Sequence, residues 1–183
     1  MTGKNPDATP TMEGHLTGNV KEFFDSFAAS YGQGRYFELR RAAVFQILAP
    51  YIENAQRILD LGCGNGLYLV ELCKLGKLRR PVGMDLSEAM LARAQEKLGE
   101  RADFVRADAV AIPFKANCWD LVICSHVLLF VQELGRCVAD IARSLRPGGL
   151  VAVTTAPNLV VRLARCSARR YSPNSTRSQE ALR

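Results

Sequence analysis

The chain has 183 residues, of which 48% are hydrophobic and 23% are charged. This composition is typical of one folded domain and excludes a repetitive or largely disordered chain. No apolar run approaches the about 18 residues that cross a bilayer, and residues 1–18 are polar, without the apolar core of a secretory signal. We expect a cytoplasmic protein with a flexible leader at 1–18 and no membrane contact.

The positive charge is concentrated near the end of the chain. The formal net charge is +6, and residues 157–183 contain six arginines against one acidic residue, Glu180, which gives +5. The other 156 residues therefore carry only +1. We predict a basic, disordered tail over 157–183. Binding of nucleic acid through this tail is the weaker interpretation, because such tails contact phosphates without base specificity.

Cysteine and histidine are spread along the chain without the spacing of a metal site. There are six cysteines with no C-x-x-C pair, and the two histidines are His15 and His126. Structural zinc sites are built from closely spaced pairs of these residues. We therefore predict no metal site, and we expect the thiols to be reduced, as they are in the cytoplasm.

Helical patterns come first in chain order. Asn19 and Glu22 have the spacing of a capping box, and aromatic residues repeat at helical spacing after them. A glycine break at 32–34 separates this helix from a second one, which we expect to end before Pro50. The sequence thus predicts two N-terminal helices within 19–50.

From Arg57 onwards, short apolar runs alternate with helical patterns. The predicted strands cover 57–61, 81–85, 103–106, 119–125 and 149–155, and a predicted helix separates most neighbouring strands. This alternation favours a mostly parallel sheet with helices on both faces, a Rossmann-like doubly wound α/β fold. We assign this domain to residues 19–156. Ligands of such folds bind beyond the carboxyl ends of the strands.

A glycine-rich turn follows the first predicted strand. Its glycines occupy positions 62, 64 and 66, whereas the dinucleotide fingerprint places its third glycine at 67, which is Leu67 here. Asp60, two residues before the first glycine, would repel a pyrophosphate but suits a ligand that carries an ammonium group. These features disfavour NAD and FAD.

Two more acidic residues lie at predicted strand ends. Asp85 ends the second strand, 19 residues after Gly66, where nucleotide-binding folds place an acid that accepts hydrogen bonds from ribose hydroxyls. Asp108 follows the third strand, and its carboxylate is suited to an exocyclic adenine amine. Together with Asp60 they predict a cleft for adenosine with an amino acid attached.

The ordered motifs over residues 20–155 resemble a known family, the class I S-adenosylmethionine-dependent methyltransferases, near the group of ubiquinone/menaquinone-biosynthesis-like small-molecule enzymes. The motifs are Ile58 to Gly66, Gly83 to Ser87, Asp108-Ala109, the strand 119–123 and Leu145 to Leu150. The resemblance implies S-adenosylmethionine as cofactor. It places Asp60, Gly62, Cys63 and Gly64 around the methionine part, Asp85 and Leu86 on ribose and adenine, Asp108 and Ala109 on adenine, and Ser125 beside the cofactor.

The activity implied by the resemblance is methyl transfer to a small-molecule acceptor by in-line displacement. His126 is a candidate base that deprotonates the acceptor, and a residue at a helix start or in the core is the other interpretation. Tyr31 and Tyr36 are candidates for a lid over the cofactor, formed by the helical segment 19–50. Two alternative functions stay open: methyl transfer to RNA, including tRNA, and cofactor binding without catalysis.

The chain departs from the family after the fifth strand. Members usually continue with a helix and two more strands, whereas Leu159 to Ala164 is suited to the start of a helix and residues 167–183 lack a strand pattern. We therefore expect the last two strands to be missing and the fifth strand to form an open edge. A truncated product, a homodimer through that edge and a domain completed by a partner are the three explanations.

Overall fold

The computed structural model describes residues 19–75, 80–155 and 160–166. Six strands form one sheet: β1 (Ile58–Leu61), β2 (Val82–Asp85), β3 (Asp103–Arg106), β4 (Trp119–Ser125), β5 (Leu145–Thr155) and β6 (Val160–Arg165). The helices are α1 (Val20–Phe27), α2 (Arg35–Ile52), α3 (Leu67–Lys74), α4 (Glu88–Leu98) and α5 (Leu134–Ser144), with short 3-10 turns at Gly99–Arg101 and Leu128–Phe130.

The sheet has the strand order β3-β2-β1-β4-β5-β6. The first five strands are parallel, and β6 runs antiparallel to β5. The chain order reverses at β1, because β2 lies on one side of it and β4 on the other. This arrangement confirms the predicted doubly wound fold and places the switch point at the glycine-rich turn after β1.

The core lies on both faces of the central strands. β1 is buried along its whole length, and six of the seven residues of β4 are buried, as expected for parallel strands covered by helices on both faces. One apolar cluster joins α2 and α3 to the sheet through residues such as Leu48 and Leu69. The other packs α5 against the opposite face through residues such as Ile141. The two clusters hold β1 and β4 in place, and with β1 the turn that joins it to α3.

Several helix ends follow directly from local sequence. The side chain of Asn19 caps α1 by accepting a hydrogen bond from the N–H of Glu22 at 3.4 Å, and Ser87 caps α4 by accepting from the N–H of Met90 at 3.1 Å. The helix α2 differs from the prediction, because it continues past Pro50 to Ile52. Pro50 is exposed in the last turn, where its missing N–H removes only one helical hydrogen bond.

The sheet also continues past the predicted fifth strand, so the expected open edge at β5 is wrong. β6 pairs along β5 from Thr155 opposite Val160 to Leu150 opposite Arg165. The segment expected to start a helix is a strand, because its backbone groups pair with the backbone groups that β5 would otherwise expose. The homodimer predicted through that edge therefore loses its basis. β6 also lies within residues 157–183, which were predicted to be a disordered tail. The predicted leader at 1–18 and residues 167–183 of the predicted tail lie outside the described residues.

No helix in the described part of the chain is long and apolar enough to cross a membrane.

Candidate functional site

A cavity of about 340 Å³ opens at the carboxyl ends of β1, β2 and β4. Its volume lies in the range of small-molecule sites. The predicted site residues on its wall are Gly62, Gly64, Asp85, Leu86, Asp108, Ala109, Ser125 and His126. Two predicted residues, Asp60 and Cys63, lie behind the wall, with exposed fractions of 0% and 5%.

The turn between β1 and α3 requires glycine. Gly62, Gly64 and Gly66 all have positive φ, a region that other residues rarely adopt. A Cβ atom on Gly62 would lie 2.1 Å from a methyl carbon of Val127. The turn therefore brings the backbone of Gly62 and Gly64 to the cavity wall.

Asp85 is already part of a hydrogen-bond network at the end of β2. Its Oδ2 accepts from the N–H of Gly64 at 2.8 Å, and its Oδ1 accepts from the N–H of Ser87 at 2.9 Å. Burial raises the pKa of Asp85, while these N–H bonds act in the opposite direction. The carboxylate thus ties the glycine turn to α4 while it faces the cavity. Asp108 accepts from the N–H of Val110 at 3.1 Å on the neighbouring wall.

Asp60 is a buried carboxyl group whose two oxygens have no hydrogen-bond partner among the described residues. Burial, and secondarily the charge of Asp85, raise the pKa of Asp60 to about 8. A buried carboxylate without a partner is costly, so the residue is unusual for a group with only a structural role.

Arg40 is a second buried charge, and sequence reasoning missed it. It is 9% exposed, and its Nε has no hydrogen-bond partner. The guanidinium carbon lies 4.9 Å from the centre of the Phe37 ring and 5.5 Å from that of Tyr36. Arg40 occupies the stripe of α2 that Val44, Leu48 and Ile52 bury. An arginine on an otherwise apolar helical stripe is the signal in the sequence that could have identified it.

His126 follows β4 in a left-handed backbone conformation, with φ of +61°. Its Nδ1 lies 3.0 Å from Oγ1 of Thr154 and 3.3 Å from Oγ of Ser125. Burial, and then the charge of Arg40, lower the pKa of His126 to about 4, so the imidazole is neutral near pH 7. Thr154, a buried residue of β5, was not predicted because its proximity depends on the pairing of β4 with β5.

The helix α1 covers one side of the cavity. Asn19, Val20, Lys21 and Phe24 line it, and the ring of Phe24 packs edge-on against Phe130, with centroids 5.1 Å apart. Tyr31, the first predicted lid tyrosine, also lines the cavity. The second, Tyr36, is 41% exposed and is absent from the cavity wall.

The free thiol of Cys63 is not suited to act as a nucleophile. Cys63 is buried, and desolvation together with the charges of Asp60 and Asp85 raises its pKa well above the usual range. Its side chain lies against Gly83 of β2, where an added Cβ would come within 2.8 Å of the sulfur. Cys63 therefore packs the turn against the sheet.

Comparison with known families gives one matching model. A family model described as a methyltransferase domain matches residues 59–153, just over half of the chain. Because this range runs from β1 into β5, it includes the glycine-rich turn and all the residues after β2, β3 and β4 that line the cavity.

Curated relatives carry methyltransferase names. The chain is 39% identical over 102 residues to the malonyl-[acyl-carrier protein] O-methyltransferase of Legionella pneumophila. This match covers 55% of this chain and 36% of the relative. It is 32% identical over 145 residues to the demethylmenaquinone methyltransferase of Lactiplantibacillus plantarum, which covers 71% of this chain and 59% of the relative. The chain thus spans less than two thirds of the length of these relatives.

Solved structures share the fold. The PH0226 protein of Pyrococcus horikoshii OT3 superposes with a TM-score of 0.64 at 26% identity, covering 74% of this chain and 66% of that protein. The [4+2]-cyclase SpnF superposes with a TM-score of 0.64 at 22% identity, covering 74% and 58%, which is evidence for the fold alone. The match over β1 to β5 and the named relatives establish that this chain belongs to the class I S-adenosylmethionine-dependent methyltransferase family.

Proposed function

We propose that this chain binds S-adenosylmethionine in the cavity and transfers its methyl group to a small-molecule acceptor by in-line displacement. The observation that carries the proposal is a pair of buried ionisable groups, Asp60 and Arg40, whose carboxyl oxygens and Nε have no hydrogen-bond partner among the described residues. Asp60 lies behind a cavity wall that includes Asp85 and Asp108, and Arg40 is hydrogen-bonded to Tyr31 of the same wall. Together these groups complement an amino acid joined to a nucleoside.

The amino-acid end is complemented by charge. Asp60 offers a carboxylate for an ammonium group, and Arg40 offers a planar guanidinium for a carboxylate. Arg40 and Asp60 both act electrostatically on Tyr31 and Tyr68, and burial is the main cause that raises the pKa of each tyrosine. Asp60 and the Nε of Arg40 have no hydrogen-bond partner among the described residues. They are therefore suited to the ammonium and carboxylate groups of a zwitterionic methionine moiety.

The nucleoside end is complemented by hydrogen-bond acceptors. Asp85 uses two of the roughly four acceptor positions of a carboxylate for backbone N–H groups, which leaves capacity for ribose hydroxyls. Asp108 is suited to the adenine amine, and Met84 and Leu86 offer apolar contacts on the same wall. This assignment agrees with the roles that the family resemblance implies.

Bound S-adenosylmethionine supplies a methyl carbon activated by a positively charged sulfur. The protein has to orient the two reactants and exclude water. Phe24 of α1 and Phe130 after β4 close the apolar side of the cavity. His126, neutral near pH 7, offers a nitrogen lone pair that accepts a hydrogen bond from the acceptor.

The names of the relatives support a small-molecule acceptor rather than RNA. The two relatives are named for malonyl-[acyl-carrier protein] and for demethylmenaquinone, which are unlike acceptors. We therefore propose small acceptors that enter beside His126, and we assign no particular acceptor atom.

Titration calorimetry of the full chain tests the proposal. We expect micromolar binding of S-adenosylmethionine and S-adenosylhomocysteine and none of NAD. Asp85→Ala should weaken binding by about 10-fold or more, because hydrogen bonds to charged groups contribute about 1.5–3 kcal/mol. Asp103→Ala is the matched control, since this carboxylate is half-exposed at the amino end of β3.

Equal affinity for NAD, or an unchanged affinity in Asp85→Ala, would contradict the proposed cofactor site. Release of S-adenosylhomocysteine only when an acceptor is present separates methyl transfer from binding without catalysis. A malonyl thioester and a soluble demethylmenaquinone analogue are the two acceptors to use first.

A further inference from the structure

Four polar side chains form a continuous hydrogen-bond chain that ends at His126. The Nδ1 of His126 lies 3.0 Å from Oγ1 of Thr154, which lies 2.8 Å from Oγ of Ser125, which in turn lies 3.0 Å from Oη of Tyr68. The residues come from α3, β4 and β5 and the turn after β4. Thr154 is 1% exposed, so water does not compete for its hydroxyl.

The direction of this chain follows from counting hydrogens. The hydroxyl of Ser125 donates to Oη of Tyr68, and a hydroxyl has only one hydrogen to donate. The contact between Ser125 and Thr154 therefore needs Thr154 as its donor. The hydrogen of Thr154 is then used as well, so the contact with His126 needs an N–H at Nδ1.

A neutral imidazole that carries its hydrogen on Nδ1 has a lone pair on Nε2. His126 lines the cavity while its Nδ1 lies against buried Thr154. Among the described residues, no hydrogen bond involves Nε2. The cavity therefore receives the unprotonated nitrogen.

The backbone of His126 supports this interpretation. A positive φ is unfavourable for a non-glycine residue, and such strain concentrates at functional sites. The conformation is held by a 3.0 Å hydrogen bond from the N–H of His126 to the carbonyl of Thr154. The same residue of β5 thus holds both the backbone and the ring of His126.

We propose that Thr154 and Ser125 are positioning residues that hold His126 as its Nδ1–H tautomer, so that Nε2 accepts the proton of a methyl acceptor with a hydroxyl or similarly acidic hydrogen. The inference rests on the proposed function. The acceptor's hydrogen leaves as a proton to Nε2, and the electron pair of that bond stays on the acceptor atom, which bonds to the methyl carbon. The bond between the methyl carbon and sulfur breaks, and its electron pair stays on sulfur. The sulfur thereby loses its positive charge, and the imidazole ring of His126 gains one.

The surrounding charges keep the ring neutral before this step. Arg40 of α2 is the charged group that acts on His126, and Tyr68 of α3 is the titratable group at the other end of the chain. Burial and the charge of Arg40 both oppose protonation of the ring. A preference between two neutral tautomers is therefore measurable near pH 7.

Nitrogen-15 NMR of the imidazole rings tests the tautomer directly, in the full chain without ligand. The chain has only two histidines, so a His126→Asn sample assigns the signals, and asparagine tolerates the positive φ. We expect a protonated Nδ1 and an unprotonated Nε2 in the native protein near pH 7. A predominantly protonated Nε2 would overturn the proposal.

Two variants of Thr154 separate the hydroxyl from its packing. Thr154→Val keeps the shape but removes the oxygen, and we expect it to lose the preference for the Nδ1–H tautomer. Thr154→Ser restores the hydroxyl, and we expect it to restore the tautomer of the native protein. An unchanged tautomer in Thr154→Val also contradicts the proposal. The readout is independent of the cofactor, so failure of S-adenosylmethionine binding would contradict the proposed function alone.

Discussion

At the scale of one residue, the burial of Asp60 opposes the stability of the fold. Its carboxyl group is fully buried and has no hydrogen-bond partner in the described structure. Without a ligand, its ionised form is destabilised, which is why burial raises its pKa to about 8. An ammonium group beside it would reverse this effect, so the cost in the free protein is consistent with a role in binding.

The replacement Asp60→Asn tests this cost through its pH dependence. The folded-state pKa of about 8 exceeds the ordinary value of 3.8, so the native protein loses stability as the pH rises through this interval. Asparagine does not ionise. We therefore expect the free energy of unfolding of the variant, relative to that of the native protein, to rise by at least about 1.4 kcal/mol between pH 4 and pH 8. Urea denaturation at both pH values measures it.

The same replacement should weaken binding of S-adenosylmethionine, because it removes the charge that faces the ammonium group. Asp103→Asn is the control for both measurements, since its carboxylate is half-exposed. Parallel pH profiles for Asp60→Asn and the native protein would show that Asp60 is ionised in the fold and that the proposed cost does not exist.

The residues predicted from sequence share one property: each belongs to a local motif. Gly62 and Gly64 of the turn, and Asp85 and Asp108 at strand ends, were predicted because their roles depend on neighbours in the chain, and all four line the cavity. Arg40 and Thr154 were missed, because their importance depends on contacts between distant elements. Their roles, like those of the predicted residues, are proposals that the ligand experiments test.

At the scale of elements, the carboxylate of Asp25 attaches α1 to the N-terminus of α4. Oδ1 of Asp25 accepts from the hydroxyl of Ser87 at 2.5 Å and from the N–H of Ala89 at 3.4 Å, at the N-terminus of α4. Lys21 pairs with the other oxygen at 2.5 Å. A negative charge is favourable at a helix N-terminus, so Asp25 attaches α1 to the start of α4, two residues after Asp85.

Removal of this attachment should loosen α1 without unfolding the domain. We expect Asp25→Ala to speed amide hydrogen exchange within α1 by about 10-fold, since a hydrogen bond to a charged group contributes about 1.5–3 kcal/mol. Asp140→Ala is the control, because Asp140 of α5 makes comparable bonds to the N–H of Ile112 and to Arg143. Equal exchange of α1 in both variants would show that Asp25 does not hold α1 in place.

Elements with local boundary signals were the easiest to predict. Asn19 and Ser87 cap their helices through hydrogen bonds to residues three positions later. The strands β3 and β4 have the predicted bounds. β6 was missed because a strand of six residues with two arginines has little pattern of its own. It forms through pairing with β5, which is a tertiary interaction that the periodicity of one segment does not contain.

At the scale of the whole molecule, parallel strand order converts distant motifs into one site. The residues that line the cavity span positions 19 to 133 in the chain, and they converge because β1, β2, β3 and β4 all end at the same edge of the sheet. The order of motifs therefore predicted both the fold and the place of the cavity. It does not predict the acceptor, since the two named relatives act on unlike acceptors.

A crystal structure of the full chain with S-adenosylhomocysteine tests the central claim most directly. The account predicts adenosine between Asp85 and Asp108, the ammonium group at Asp60 and the carboxylate at Arg40, with the sulfur directed towards His126. A ligand bound outside this cavity, or one whose carboxylate is distant from Arg40, would contradict it.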